Sequence, residues 1–285
     1  MRKKLSIFGC TGSIGDATLR LIKKQNNDYN FYIFTGFKNY KKIRYLIKNY
    51  KPEIFVIFDD RTYYKIKKEQ TYGKNTKILN SKNYFKLKFK KSDVSILAIP
   101  GIAGLEPTLK AVKISKKILI ANKESIICGW SLINNLVKKY KVKVSPVDSE
   151  HFSIMNLINK IDKKSIEKIY LTASGGPFLN YPLKKMKNIK PAQAVKHPKW
   201  KMGKKISVDS STLMNKLFEV IEANKLFSID FKKIDILIHP QSLVHAIVKL
   251  KNGLYKFLYF ETDMSIPIGN ALFENDFEVK KFLNK

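Results

Sequence analysis

Short apolar runs recur along the first half of the chain and alternate with stretches whose apolar residues fall on one helical face. LSIFG, FYIF, EIFVIF, VSILAI, KILIA and VKVSPV are the strand candidates in this series. Their rhythm predicts βα units wound onto both faces of a parallel sheet. After Glu150 the alternation stops. Strands are then predicted near Ile166 to Ala173, Ile234 to His239, Leu243 to Lys249 and Leu254 to Phe260, the last two joined by the turn signal KNG. The expected fold class is α/β: a doubly wound, Rossmann-type dinucleotide-binding domain over 1–149, followed by an α+β domain over 150–285.

Composition narrows the class. A hydrophobic fraction of 44% in 285 residues is enough for a sizeable core and excludes a wholly disordered chain. The longest apolar stretch, from Ser95 to Leu105, falls far short of the ~20 residues that span a bilayer, and no signal-peptide core precedes Gly9. Cys10 and Cys128 have no partner pattern, which fits a reducing compartment. A cytoplasmic location and no membrane partner are therefore expected. The net charge is +32, from 55 basic and 23 acidic residues, yet only Arg2, Arg20, Arg44 and Arg61 are arginine. Nucleic-acid readers favour arginine for bidentate contacts. Here lysine is dispersed among many Asn, Ile, Phe and Tyr, as A/T-rich codons dictate, so no specific nucleic-acid partner is expected. A basic surface would still attract phosphorylated substrates.

Two stretches carry candidate chemistry. Gly9 to Gly15, GCTGSIG, follows the first strand and opens a helix. Its glycines suit a tight turn that brings the backbone close to a pyrophosphate at a helix N-terminus. At the end of the second strand, Thr35 to Tyr40 contains Lys38 and no carboxylate. This favours the 2′-phosphate of NADP over the ribose hydroxyl of NAD. In VKVSPVDSEHFSIM, Asp148 and Glu150 lie where an apolar strand gives way to a helix. On an extended segment they would point the same way, with Ser149 elsewhere, and offer oxygen to a hard divalent cation. Glu219 is the candidate third ligand, on a predicted helix that puts Asn215, Lys216 and Glu219 on one face.

The sequence ANKES at 121–125, then PVDSEH, LTASGGPF, HPKWKMGKKISVDSSTLMNK and ILIHPQSLVHAIV, follows one order. In that order the chain strongly resembles the 1-deoxy-D-xylulose 5-phosphate reductoisomerase family, from Arg2 to about Leu272. The resemblance implies an NADPH-dependent enzyme whose second domain is catalytic. It further implies a divalent ion, Mg²⁺, Mn²⁺ or Co²⁺, held by Asp148, Glu150 and Glu219. By the same resemblance Ser174, Ser210, Asn215 and Lys216 hold the phosphate of a sugar substrate, while Ser149, Lys123 and His197 contact its backbone or order the site. Thr11, Gly12, Ser13, Ile14, Lys38, Asn39, Asn122, Glu124 and Gly203 match positions around the cofactor. His239 and His245 are read as structural.

The segment from Lys196 to Lys204 breaks both helix and strand patterns yet carries Trp200 and Met202, and it is expected to be a loop that closes over substrate beside Trp200. Two departures stand out: Phe37 replaces the glycine the family usually places before Lys-Asn, and the family continues for about another hundred residues into a helical bundle, whereas this chain stops at Lys285. The implied reaction turns 1-deoxy-D-xylulose 5-phosphate into 2-C-methyl-D-erythritol 4-phosphate, on the route to isoprenoids, and a homodimer is expected. A metal-independent NADP-dependent dehydrogenase leaves the three acids unexplained. A non-catalytic basic binding protein leaves unexplained why every matched ligand is present.

Overall fold

The computed structural model describes residues 2–24, 29–69, 75–200, 203–274 and 278. Met1–Ser145 with Ile268–Lys285 form one compact unit, and Pro146–Pro267 another. Where the sequence suggests one boundary at 149/150, the contacts divide the chain at 145/146 and again at 267/268.

In the first unit, β1 (Lys3–Phe8), β2 (Tyr29–Gly36), β3 (Ile54–Ile57), β4 (Lys77–Asn80), β5 (Ser92–Leu97), β6 (Ser115–Ile120) and β7 (Lys143–Pro146) form one sheet in the order β4-β3-β2-β1-β5-β6-β7. β1 runs parallel to β2 and β5, β2 to β3, β3 to β4, and β5 to β6. Its helices are α1 (Ser13–Lys24), α2 (Tyr40–Tyr50), α3 (Asp60–Lys68), α4 (Ser81–Lys86), α5 (Leu105–Lys113) and α6 (Lys123–Tyr140). Leu5, Ile7, Ile33, Phe34, Phe55, Val56, Ile96 and Ile118 are fully buried. Strands covered on both faces read as continuous apolar runs, which is why periodicity exposed them. β4 was not anticipated: KILN is four residues at the sheet edge, with only Leu79 buried.

The turns out of these strands share one device. Asn39, Asp59, Asn80 and Asn122 each accept a hydrogen bond from the backbone N–H three residues on, at the start of the next helix. Such caps satisfy donors that the helix itself cannot use. Strand order reverses between β1 and β5, so the crevice beyond their carboxyl ends is where this architecture takes ligands.

The second unit holds α7 (Ser149–Leu157), β8 (Ile166–Ala173), α8 (Pro191–Ala194), α9 (Lys204–Ser211), α10 (Met214–Phe227), β9 (Ile234–Ile238), β10 (Val244–Leu250) and β11 (Tyr255–Tyr259). Its sheet runs β11-β10-β8-β9, with β8 and β9 parallel and β10 antiparallel to both neighbours. One face, with Ile169, Leu171, Ala246 and Val248, buries itself in a core shared with Ile154, Ala223 and Phe227. On β11, Tyr255, Phe257 and Tyr259 point away from that core and are exposed. No helix among the described residues is long and apolar enough to cross a membrane.

The last helix, α11 (Ser265–Phe273), is tied to the first unit by contacts distant in sequence. Tyr29 donates to the Leu272 carbonyl at 3.3 Å, and Lys117 Nζ to the Ala271 carbonyl at 2.6 Å. Glu274 then pairs with Lys117 at 2.7 Å and Lys143 at 3.1 Å. Hydrogen bonds and attraction from these lysines hold its carboxyl down at about 2. A depressed carboxyl stabilises the fold above its unfolded value near 4.5 and loses that contribution as pH falls towards 2. Since Glu274 is more than half exposed, Glu274→Gln should cost at most ~1 kcal/mol in urea unfolding at pH 7 and less at pH 3. Equal costs at both pH values would assign the effect to something other than charge.

Candidate active site

The glycine loop sits directly after β1. Gly9 adopts φ +87°, and a Cβ there would meet the Ala98 carbonyl at 2.6 Å, so only glycine fits. Its N–H donates to Thr35 Oγ1 at 2.8 Å, and Cys10 N–H to the Thr35 carbonyl at 3.0 Å, which anchors the loop to the end of β2. Around Gly12 the space is open, its nearest neighbour being the Gly9 carbonyl at 3.5 Å, and α1 begins at Ser13. Backbone N–H groups at a helix start with room in front of them suit a pyrophosphate. Thr11, Gly12, Ser13 and Ile14 all lie on this turn.

At the end of β2, Lys38 Nζ lies 5.0 Å from the Phe37 ring centroid, and Phe37 is itself exposed. In the turn after β3, Asp59 Oδ2 accepts from the N–H and hydroxyl of Thr62. Asn39 and Asn122 are the cap residues. Asn122 is buried: its amide donates to the carbonyls of Ile99 and Gly101, and its oxygen accepts from Ser125 N–H at 2.5 Å. It therefore shapes the turn in which Lys123 and Glu124 stand. All of these belong to the first unit, whereas Gly203, grouped with them by resemblance, belongs to the second, where it caps α9.

The acids converge for a different reason than the pleat of a strand. α7 already begins at Ser149, so Asp148 is its N-cap residue and Glu150 lies in its first turn. Asp148, Glu150 and Glu219 bring one carboxylate oxygen each within 4.8 Å of one another. Ser149 does not point away: its hydroxyl donates to Glu150 Oε2 at 2.5 Å. From α10, Asn215 donates to Glu219 Oε1 at 2.5 Å. Lys216 Nζ reaches Glu150 Oε1 at 2.7 Å, Glu219 Oε2 at 2.5 Å and the Thr172 carbonyl at 2.5 Å. The inward face of α10 thus carries buried charge at Lys216, Glu219 and Glu222, while Leu217 is exposed. That inversion of the usual pattern marks a site on the first turns of α10, while Ala223 and Phe227 further along it serve the core.

Electrostatics here is dominated by burial. It pushes the Glu150 carboxyl up to about 7, aided by Glu219 and opposed by Lys216. For Lys216, burial opposes the charge, but Glu150 and Glu219 outweigh it and hold the ammonium above the ordinary lysine value. Three converging carboxylates, two of them paired with one ammonium, form a hard-oxygen donor set of the kind a divalent cation requires.

Two residues that the sequence reading passed over complete this cluster. His151 donates from Nδ1 to Asp148 Oδ1 at 3.0 Å and from Nε2 to the Glu219 carbonyl at 2.9 Å, and Glu222 Oε2 lies 3.5 Å from Nδ1. The three-residue spacings Asp148 to His151 and Glu219 to Glu222 were the available signal, because three apart on a helix is one face.

Beyond β8, Gly175 and Gly176 turn the chain with φ +83° and +69°, and a Cβ on Gly176 would meet the Ser210 carbonyl at 2.8 Å. The ASGG turn therefore packs on the end of α9. His197 Nδ1 accepts from the N–H groups of Trp200 at 2.9 Å and Lys199 at 3.2 Å, so Nε2 carries the proton and donates to Ser174 Oγ at 2.9 Å. Burial lowers the His197 pKa, consistent with that neutral ring. Trp200 is half-buried edge-on to His245, which stacks on Phe260 at 3.9 Å. His239 Nε2 accepts from Leu243 N–H within its turn. Lys201 and Met202, within the expected closing loop, lie outside the described residues.

Residues 5–129 match the 1-deoxy-D-xylulose 5-phosphate reductoisomerase model, and 144–227 match the model of that enzyme's C-terminal domain. A 1-deoxy-D-xylulose 5-phosphate reductoisomerase of Pelagibacter ubique is 47% identical over 282 residues, covering 96% of this chain and 71% of its own length. One from a Wolbachia of Drosophila simulans is 43% identical, with 95% and 69% covered. A solved DOX-P reductoisomerase in complex with NADPH, fosmidomycin and magnesium superposes with TM-score 0.91 at 35% identity, over 99% of this chain and 72% of that one. The Zymomonas mobilis enzyme in complex with NADPH gives TM-score 0.85 at 34% identity, over 95% and 70%.

Proposed function

From the premise that the chain belongs to the 1-deoxy-D-xylulose 5-phosphate reductoisomerase family, we infer that it is an NADPH- and divalent-ion-dependent reductoisomerase. It converts 1-deoxy-D-xylulose 5-phosphate into 2-C-methyl-D-erythritol 4-phosphate. The observation that carries this reading is the convergence of Asp148, Glu150 and Glu219, with Lys216 paired to Glu150 and Glu219. Purified protein should oxidise NADPH when the substrate and Mg²⁺ or Mn²⁺ are both supplied. A chelator should stop it, and turnover that survives thorough chelation would overturn the metal assignment.

Asp148, Glu150 and Glu219 would hold the ion, which supplies Lewis acidity to the substrate's ketone and neighbouring hydroxyl. NADPH supplies the hydride that reduces the rearranged aldehyde. The chain's own residues bind and orient. Thr11, Gly12, Ser13 and Ile14 receive the pyrophosphate at the start of α1, and Asn122 with Glu124 shapes the turn beside it. Lys38 and Asn39 take the 2′-phosphate, with Phe37 packed under the lysine in place of the usual glycine. Gly203 is a further cofactor contact. Ser174, Ser210, Asn215 and Lys216 take the substrate phosphate, whose binding energy is available for orientation remote from the reacting carbons. Ser149, Lys123 and His197 order the sugar backbone. The neutral His197, donating through Nε2 to Ser174, fixes that hydroxyl's direction. Trp200 packs beside the substrate in the closing loop.

Lys38→Glu tests the cofactor choice. It replaces a charge-assisted contact with repulsion, so KM for NADPH should rise by about tenfold or more while that for NADH changes less. A parallel change for both cofactors would remove Lys38 from the site.

A homodimer is part of the same reading, and the exposed Tyr255, Phe257 and Tyr259 support it. Contiguous exposed aromatics on a sheet face are uncommon on a solitary subunit. Phe257→Asp should shift the protein towards monomer in light scattering. An unchanged mass would move the interface elsewhere. The dispersed, arginine-poor lysines support no specific nucleic-acid partner, and a cytoplasmic enzyme without a membrane partner completes the proposal.

A further inference from the structure

His151 touches both helices that supply the acid cluster. Asp148 sits at the N-cap of α7, where an aspartate ordinarily accepts from the helix's own first N–H groups. Here its side chain makes no cap bond, and Oδ1 instead receives His151 Nδ1–H at 3.0 Å. The other ring nitrogen, Nε2, donates across to the backbone carbonyl of Glu219 on α10 at 2.9 Å. Both nitrogens thus face oxygens that only accept, so both carry hydrogen. Glu222, one turn beyond Glu219 on α10 and 1% exposed, places Oε2 3.5 Å from His151 Nδ1. Phe227, further along the same helix, lies parallel to the imidazole at 6.3 Å between centroids. The ring is held on one side by charge and on another by an aromatic plane.

We propose that Glu222 is a positioning residue: through His151 it fixes the orientation of the Asp148 carboxylate and the register of α7 against α10, and so sets how tightly the site grips its divalent cation. The proposal rests on reading Asp148, Glu150 and Glu219 as the ion's ligands. Glu222 itself does not touch the ion. Its part is to keep His151 in the one placement that bonds Asp148 and the Glu219 backbone together. Without the Glu222 carboxylate beside it, the ring loses one of the groups that fix its placement, and it no longer holds Asp148 Oδ1 and the Glu219 carbonyl together. A ligand whose outer partner is removed keeps its chemistry but loses its aim, which in metal sites weakens binding by about 10–100-fold.

The test is Mn²⁺ titration of the full chain, followed by the paramagnetic signal of free Mn²⁺, for wild type, Glu222→Gln, His151→Asn and the double variant. Wild type is expected to bind Mn²⁺. Glu222→Gln should bind it about tenfold or more weakly. Saturating Mn²⁺ should return kcat to near the wild-type value, with KM for the substrate little changed. In the His151→Asn background, Glu222→Gln should have no further effect, because the path it acts through is gone. Circular dichroism and melting establish that each variant is folded. If Glu222→Gln does not fold, the decision passes to His151→Asn, which must weaken Mn²⁺ binding and be rescued by excess ion. Failure of wild type to bind Mn²⁺ would overturn the ligand reading and this proposal with it. Wild-type binding with unchanged affinity in Glu222→Gln, or fully additive losses in the double variant, would overturn this proposal alone.

Discussion

Glu219→Gln is expected to lower turnover by about a thousandfold or more, since Lewis-acid stabilisation is worth several kcal/mol and each ~1.4 kcal/mol is tenfold in rate. The glutamine is isosteric but keeps one of the two oxygens that Asn215 and Lys216 contact, so a melting curve beside the rate establishes that the variant is folded. What it removes is one anion from the set formed with Asp148 and Glu150. Glu219 is 1% exposed and comes from a helix more than sixty residues beyond the other two, while Glu222, the next acid on that helix, faces His151. Rates measured across a Mn²⁺ titration decide the matter: both the saturating rate and the apparent ion affinity should fall. An unchanged titration with an unchanged rate would mean that the three acids do not act on one ion.

Lys216→Met should have the largest effect on stability. Lys216 is 4% exposed and is the ammonium between Glu150 and Glu219. Removing one partner of a buried ion pair costs about 3–5 kcal/mol, because the remaining charges have neither water nor counter-charge. Urea unfolding with a chelator present should show that loss at pH 8. The loss should shrink at lower pH. Burial and Glu219 already lift the Glu150 carboxyl to about 7, and without the lysine it rises further above its unfolded value. A raised carboxyl stabilises the fold below the unfolded value and loses that contribution as pH rises through the folded one. Mn²⁺ at 100 times its dissociation constant should restore about 2.7 kcal/mol by mass action. Equal losses at pH 5.5 and pH 8, with no recovery on adding Mn²⁺, would make Lys216 a packing residue.

Much of this was legible in the chain. Apolar runs such as those in β1, β5 and β6 announce strands buried on both faces, because such strands are continuous in sequence. Gly9 and the turn after it are dictated by a backbone conformation and a close approach that only glycine allows. Asp148, Glu150, Lys216 and Glu219 were identifiable by type, spacing and resemblance. These signals are local, or are carried by motifs that each fit within a few turns of chain.

The tertiary structure decided the rest. β4 exists because an open edge beside β3 gives four residues backbone partners, an energy that no local pattern encodes. The chain's return to the first unit depends on Tyr29, Lys117 and Lys143 meeting α11 and Glu274 across 131 to 243 residues of sequence. The acids converge at a helix start and not along a strand, since Asp148 spends its carboxylate on His151 and not on capping α7. The sequence determines which groups are available, because chemistry belongs to residue types. Which of them meet is settled by the packing of α7 against α10, where burial makes each misplaced charge costly enough to leave one arrangement.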